Sequence, residues 1–196
     1  MNIVILGKGN MRTPLASLMQ AAGHRVQAFS STGNPRAALA DAQVVVLALK
    51  YEQALEITTR ADLVAMLAGK IVIDMTNPLA PDYMSLTLGH SSSAAEQIAQ
   101  RLPSALVVKA FNTVFAGLLA KRAAGGAVDV SVFVAGDDAT AVDTVVALSR
   151  GLGLEAIASG PLSNARYLEP MAEFMIQLGY GLGHGGEIGF KLVKAG

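Results

Sequence analysis

The chain has 196 residues, 52% of them hydrophobic and 15% charged, with fifteen basic residues against fifteen acidic ones and no cysteine. A net charge of zero argues against nucleic acid or an anionic membrane surface as the main partner, and the missing cysteine excludes disulfides, thiolate nucleophiles and thiolate metal sites. The length fits one domain of ordinary size, no apolar run reaches the roughly 18 residues of a membrane span, and the surplus of apolar residues points to a homodimer.

The first apolar run, Asn2-Ile3-Val4-Ile5-Leu6, leads straight into Gly7-Lys8-Gly9, and a helical pattern over 11–22 follows. A strand that turns on two glycines into a helix makes a site for a dinucleotide diphosphate. Gly7 permits the tight turn, Gly9 lets the backbone approach the phosphates, and the unpaired amides of the helix start point at them. Arg12 stands where the usual third glycine would be. Either the helix sits slightly further out, or the Arg12 side chain reaches the phosphates. Pro14 is harmless in the first turn, where its missing amide would have been unpaired anyway. The opening run is too short for a signal peptide, and Lys8 follows it instead of preceding it, so a cytoplasmic protein is expected.

The second strand is predicted at 25–30. Between Met1 and Ala40 there is no Asp or Glu, while Lys8, Arg12, Arg25 and Arg36 are present. An NAD site normally places a carboxylate near the end of this strand to bond the ribose 2′-hydroxyl. Here Ser30, Ser31 and Thr32 occupy that place, and hydroxyls beside an arginine suit a 2′-phosphate. The coenzyme read from these residues is NADP(H).

Further strands are predicted at 43–49, 70–74, 105–110, 130–136 and 154–158. Their cores are nearly continuous β-branched runs such as Val44-Val45-Val46-Leu47, as expected of strands buried on both faces. Helices are predicted near 52–68, 92–101, 138–151 and 162–179, with at most a short one in 31–42 and long irregular stretches at 78–90 and 121–128. Ser93-Ala94-Ala95-Glu96, Asp137-Asp138 and Ser163-Asn164 are the expected N-terminal caps; Gly23 and Gly69 are the expected helix stops. Alternating strands and helices define an α/β fold, a doubly wound, mostly parallel sheet in three layers with a short C-terminal helical extension. Residues 1–160 form the dinucleotide-binding domain, and 161–196 add a helix and tail without a domain of their own.

In such a sheet ligands bind beyond the carboxyl ends of the strands, where the strand order reverses. That rule gathers Gly7–Arg12, Ser30-Ser31-Thr32, Leu49-Lys50-Tyr51, Thr76-Asn77-Pro78 and Ala110-Phe111-Asn112-Thr113 around one crevice. Hydride transfer between a nicotinamide and a flavin-like ring needs close stacking and exclusion of water, with no obligatory acid or base. No catalytic residue is assigned, and no His, Asp or Glu cluster has metal-ligand spacing. Lys109 either holds a polar group of a second substrate or forms a strand-end ion pair. Arg166 is expected to pair with Glu169 or Glu173, and the stripe Leu168, Met171, Ala172, Met175, Ile176, Gly179 reads as core or dimer packing. Glycines around His184 either fold the tail over the crevice or leave a flexible terminus, the latter being favoured.

Several segments, in order, are familiar. Ile5-Leu6-Gly7-Lys8-Gly9-Asn10-Met11, Ser92-Ser93-Ala94-Ala95-Glu96, Val134-Ala135-Gly136-Asp137-Asp138, Gly160-Pro161-Leu162-Ser163-Asn164-Ala165-Arg166 and Gly186-Glu187-Ile188-Gly189-Phe190-Lys191 resemble the deazaflavin (coenzyme F-420)-dependent NADP oxidoreductases. The resemblance implies a dimer that passes hydride between NADP(H) and a deazaflavin. By position it implies phosphate contacts from Lys8, Gly9, Asn10 and Met11, 2′-phosphate contacts from Ser30 and Ser31, a nicotinamide contact from Asn77, and a pocket contact from Ile188. Ser31 stands where the family often has an arginine, so the charge falls to Arg36. Two other readings compete: a short hydroxy-acid or imine dehydrogenase, whose known relatives need a large helical domain, and an NADP(H)-binding redox sensor without turnover.

Overall fold

Among the residues described by the structure, a computed structural model covering 1–30 and 33–195, seven strands form one sheet in the order β2-β1-β3-β4-β5-β6-β7. They are β1 (Asn2–Leu6), β2 (Arg25–Phe29), β3 (Val44–Leu47), β4 (Ile71–Asp74), β5 (Leu106–Lys109), β6 (Ser131–Gly136) and β7 (Glu155–Ala158). All predicted strands are present, each trimmed by a residue or two except β3, which is shorter by three. The first five run parallel; β6 opposes β5, with Val108 facing Gly136, and β7 runs parallel to β6. The order reverses beside β1, which has β2 on one side and β3 on the other. A crevice therefore opens over the carboxyl ends of β1 and β3.

Side-chain alternation divides the core into two layers. Ile3, Ile5, Val44, Val46, Ile73 and Val108 face one way, onto Leu15, Leu18 and Met19 of α1 (Arg12–Ala21), Leu118 and Leu119 of α6 (Ala116–Ala123), and the apolar side of α7 (Ala139–Gly151). Val4, Leu6, Val45, Leu47, Val72 and Val107 face the other way. They meet α2 (Arg36–Asp41), α3 (Tyr51–Thr59), α4 (Ala61–Leu67) and α5 (Ala94–Arg101). The period of two along each strand is what makes three layers.

The helix expected over 52–68 is broken at Arg60, whose extended backbone ends α3 and starts α4. Thr58 and Thr59 both donate their hydroxyls to carbonyls one turn back, of Leu55 (2.6 Å) and Glu56 (2.7 Å), a habit that weakens a helix end. Helix α6 lies where no helix was predicted. It starts without a side-chain cap, so the sequence carried no start signal for it.

Two of the three predicted caps hold. The Ser93 hydroxyl oxygen accepts from the Glu96 amide (3.2 Å), and Asp138 accepts from the Ala141 amide (2.8 Å). Asn164 does not cap α8 (Ala165–Ile176); its side-chain amide donates to the Ser159 carbonyl (2.6 Å). The tail is not a loose terminus. Gly185 donates to the Gly179 carbonyl (2.8 Å), Gly189 pairs with Val114, and Ser131 donates to the Phe190 carbonyl (2.9 Å), so the last segment folds back along the end of the sheet.

Candidate active site

Gly7 is buried at the end of β1, with a left-sided φ of +148°. A β-carbon there would lie 2.0 Å from the Ala48 carbonyl oxygen, so glycine is what lets β1 and the end of β3 meet. Gly9 is the opposite case. A β-carbon on it would meet nothing within 4 Å, because its backbone faces a cleft of about 570 Å³. The amides of Lys8, Gly9, Asn10 and Met11 make no hydrogen bond to the rest of the described chain. Open space, free amides at a helix start and the exposed ammonium groups of Lys8 and Lys50 at the rim form a cradle for a diphosphate. The donor set therefore fits a dinucleotide coenzyme.

Of the predicted residues, Lys8, Gly9, Met11, Leu49, Lys50, Asn77, Phe111 and Asn112 line this cleft together. Asn10 and Arg12 belong to the same turn outside its lining. The Arg12 guanidinium donates to the Gly7 carbonyl (3.3 Å), so it braces the glycine turn. Ser30 follows β2, half-buried, and Ser31 lies outside the described residues. Arg36 opens α2, and both its Nε (3.0 Å) and Nη2 (2.6 Å) donate to Asp62 on α4. Asp62 is held below the ordinary carboxylate range by that hydrogen bonding, and burial opposes the shift only in part. Tyr51 is half-buried, with its phenol pushed up by burial. Pro78 is buried, and its carbonyl anchors the 78–90 loop by accepting from the Thr87 amide (2.7 Å). Tyr51, Pro78 and Ile188 lie outside the lining of the cleft.

The far wall of the cleft was not foreseen. Phe115 and Ala116 supply it from the start of α6, and Ala172, Ile176 and Tyr180 from α8 and the turn after it. The Phe115 and Tyr180 rings touch, with centroids 5.4 Å apart. Part of the stripe read as core or dimer packing is therefore cleft wall: Leu168, Ala172 and Met175 are buried, and Ala172 and Ile176 line the cleft. Gly179 lets the tail close on this wall, since a β-carbon would come within 2.7 Å of the Gly185 carbonyl oxygen and 2.9 Å of Phe115.

Below the floor lies a buried charge cluster. Lys109, at the end of β5 and wholly buried, donates from Nζ to Asp74 Oδ2 (2.8 Å), Glu169 Oε1 (2.7 Å) and the Thr76 carbonyl. Burial opposes its charge, but the two carboxylates outweigh that and raise its pKa above that of an ordinary lysine. Glu169 is pushed up by burial, and Lys109 counters this only in part. Its carboxylate also accepts from the amides of Ala94 (2.9 Å) and Ala95 (3.2 Å) at the start of α5. The strand-end ion pair, one of the two expectations for Lys109, is what the fold contains. The pairing expected for Arg166 is different. Its guanidinium grips Glu96 (2.6 and 2.9 Å), because Glu169 is turned inward and Glu173 engages Gln177 on the same face of the chain.

Among the described residues no group of His, Asp and Glu has the arrangement of a metal site, and no helix is long and apolar enough to cross a membrane. No family model matches the chain. The F420-dependent NADP reductase of Methanothermobacter thermautotrophicus is 31% identical over 173 residues, which cover 83% of this chain and 71% of that protein. Metalloreductase STEAP3 of Rattus norvegicus is 30% identical over 179 residues, 84% of this chain; the chain spans only 35% of that longer protein. A solved protein of Arthrobacter sp. FB24, assigned as an F420-dependent NADP reductase, is 31% identical with a TM-score of 0.85, covering 99% of this chain and 100% of that one. Imine reductases and a 3-hydroxyisobutyrate dehydrogenase share the fold at 14–18% identity. With the glycine turn, the cleft and the strand order all in agreement, the chain belongs to the F420-dependent NADP reductase family and is an NADP-dependent oxidoreductase.

Proposed function

We propose that the protein passes hydride between NADP(H) and a flavin-like acceptor, a deazaflavin first among them, across the cleft over β1 and β3. The observation that carries this reading is the backbone at Gly9, which faces open space with four amides around it that are unbonded among the described residues, at the point where the strand order reverses. Lys8 to Met11 hold the diphosphate. Ser30, Ser31 and Arg36 hold the 2′-phosphate, and Asn77, Phe111 and Asn112 form the floor for the nicotinamide end. When bound, NADPH supplies the hydride. The chain contributes position and dryness: Met75 and Phe111 form an apolar floor, and Phe115, Ile176 and Tyr180 form a wall that leaves room for a second flat ring. No acid-base residue is required.

The exposed apolar face of α8, carrying Tyr167 and Phe174 with Met171 between them, supports a homodimer, and a cytoplasmic setting agrees with a cysteine-free chain. Single-turnover mixing of NADPH-loaded protein with a deazaflavin, a flavin and a panel of carbonyls tests the reading. Rapid oxidation with the deazaflavin is expected; oxidation only with a carbonyl would move the assignment to a small-molecule dehydrogenase.

A further inference from the structure

Lys109 sits behind the cleft floor, and its three hydrogen bonds tie the end of β4 to α8. One reaches Asp74 at the end of β4, one the Thr76 carbonyl, and one Glu169 on α8. Asp74 Oδ1 also accepts from the Thr76 amide (2.9 Å), so the turn leading to Asn77 is fixed from both sides. Asn77 is the next residue. On the other strand Asn112 follows Lys109 by three positions, and its Nδ2 donates to the carbonyl of Leu168, the neighbour of Glu169 (2.9 Å), and to Asn77 Oδ1 (3.0 Å).

This chain of contacts decides which way both carboxamides point. A backbone carbonyl only accepts, so the bond to Leu168 makes the contacting atom of Asn112 its nitrogen. That nitrogen then faces the oxygen of Asn77. Asn77 Nδ2 is left with a single long contact, 3.4 Å to the Asn112 carbonyl, and Asn77 is half-buried in the cleft lining. The site thus offers a donor with a fixed direction and little competing attachment.

We propose that Lys109, with Asp74 and Glu169, is a positioning residue that locks Asn112 and thereby presents Asn77 Nδ2 as a donor to the carboxamide carbonyl of the coenzyme's nicotinamide ring. The proposal rests on the reading that the cleft takes a nicotinamide coenzyme, and extends it to the group recognised and the residues that aim the recognition. A buried ion cluster adds little net stability over an apolar replacement of the same shape, whereas a ring held at a fixed angle is what hydride transfer requires.

The test compares three ligands by calorimetry: NADP, its thionicotinamide analogue, whose sulfur is a poor acceptor, and 2′-phospho-ADP-ribose, which lacks the ring. The intact protein is expected to bind NADP more tightly than the thio analogue. Glu169→Gln and Asp74→Asn keep side-chain shape, and Asn112→Ala removes the two hydrogen bonds of one carboxamide; none of the three strands the lysine among unpaired charges. Each is expected to weaken NADP by about tenfold, to erase the preference over the thio analogue, and to leave 2′-phospho-ADP-ribose within about twofold. In the Glu169→Gln/Asn112→Ala double variant the losses should not add, because the two residues act through the same amide. Equal weakening of all three ligands, an unchanged preference, or additive losses would each overturn the positioning role. Failure of the intact protein to bind NADP at all would instead remove the coenzyme reading beneath it. Should Glu169→Gln not fold, Asp74→Asn with Asn112→Ala completes the same cycle.

Discussion

Gly7 and Ala48 are pressed together where β1 and β3 end, the α-carbon of one against the carbonyl of the other, with a separation that no β-carbon at position 7 would survive. Gly9, two residues on, borders only open space. Gly7→Ala is therefore expected to lose roughly 3 kcal/mol or more of stability. Gly9→Ala should melt with the parent protein and lose about tenfold in NADPH affinity. Thermal denaturation alongside coenzyme titration separates the two; a Gly9→Ala variant that binds normally would detach the diphosphate from this turn.

Arg36 is held by Asp62 while it stands at the start of α2, beyond the end of β2. If it serves the 2′-phosphate, it exchanges one anion for another when NADPH arrives. Arg36→Ala, and separately Ser30→Ala with Ser31→Ala, should weaken NADPH by about tenfold while NADH changes little. Asp62→Asn should shift preference further toward NADPH, since the guanidinium is released. Parallel losses for both coenzymes would remove the 2′-phosphate assignment.

Glu96 is held below the ordinary carboxylate value of 4.5, first by hydrogen bonding to Arg166, with burial opposing. A depressed carboxylate contributes stability that is complete above its unfolded value and is lost as the pH falls through its folded value. Glu96→Gln should thus lower the melting temperature at pH 7, and the gap to the parent should close in acid, well below 4.5. A gap that persists there would show that the loss comes from packing.

At Gly179 the tail, Phe115 and α8 converge. Gly179→Val should push the 181–186 turn off the cleft wall and make it a site of early proteolytic cleavage, with the sheet core unaffected. Cleavage at the parental rate would mean that the tail tolerates the added volume.

Tyr167 and Phe174 are 70% and 52% exposed on α8. Replacing both with glutamate is expected to turn a dimer into a monomer in sedimentation equilibrium without lowering the melting temperature of the monomer. A parent protein that is monomeric at all concentrations would leave this face to another partner.

The strands were legible because each is a β-branched run buried on both sides, and because the turn residues Gly7, Gly23 and Gly69 sit where the chain must adopt backbone angles that other residues resist. The near wall of the cleft was legible for a related reason: Lys8, Leu49, Asn77 and Asn112 all follow strands directly, and topology collects strand ends. The far wall was not. Phe115, Ala172, Ile176 and Tyr180 have the spacing of ordinary core residues, and only the packing of α6 and α8 decides that some of them face an opening. Helix α6 was missed because nothing caps it, and the Lys109–Glu169 pair because its members lie 60 positions apart.

What the sequence by itself determined is local: periods of two and 3.6, a glycine turn between strand and helix, and an acid-free opening that favours a second phosphate, all properties that neighbouring residues carry in their own backbone preferences and charge. What only the tertiary structure decided is partnership. Arg36 faces Asp62, Arg166 faces Glu96, and Lys109 is sealed between two carboxylates, because each outcome depends on which elements pack together and how much water that packing removes, and neither quantity is written in any one segment.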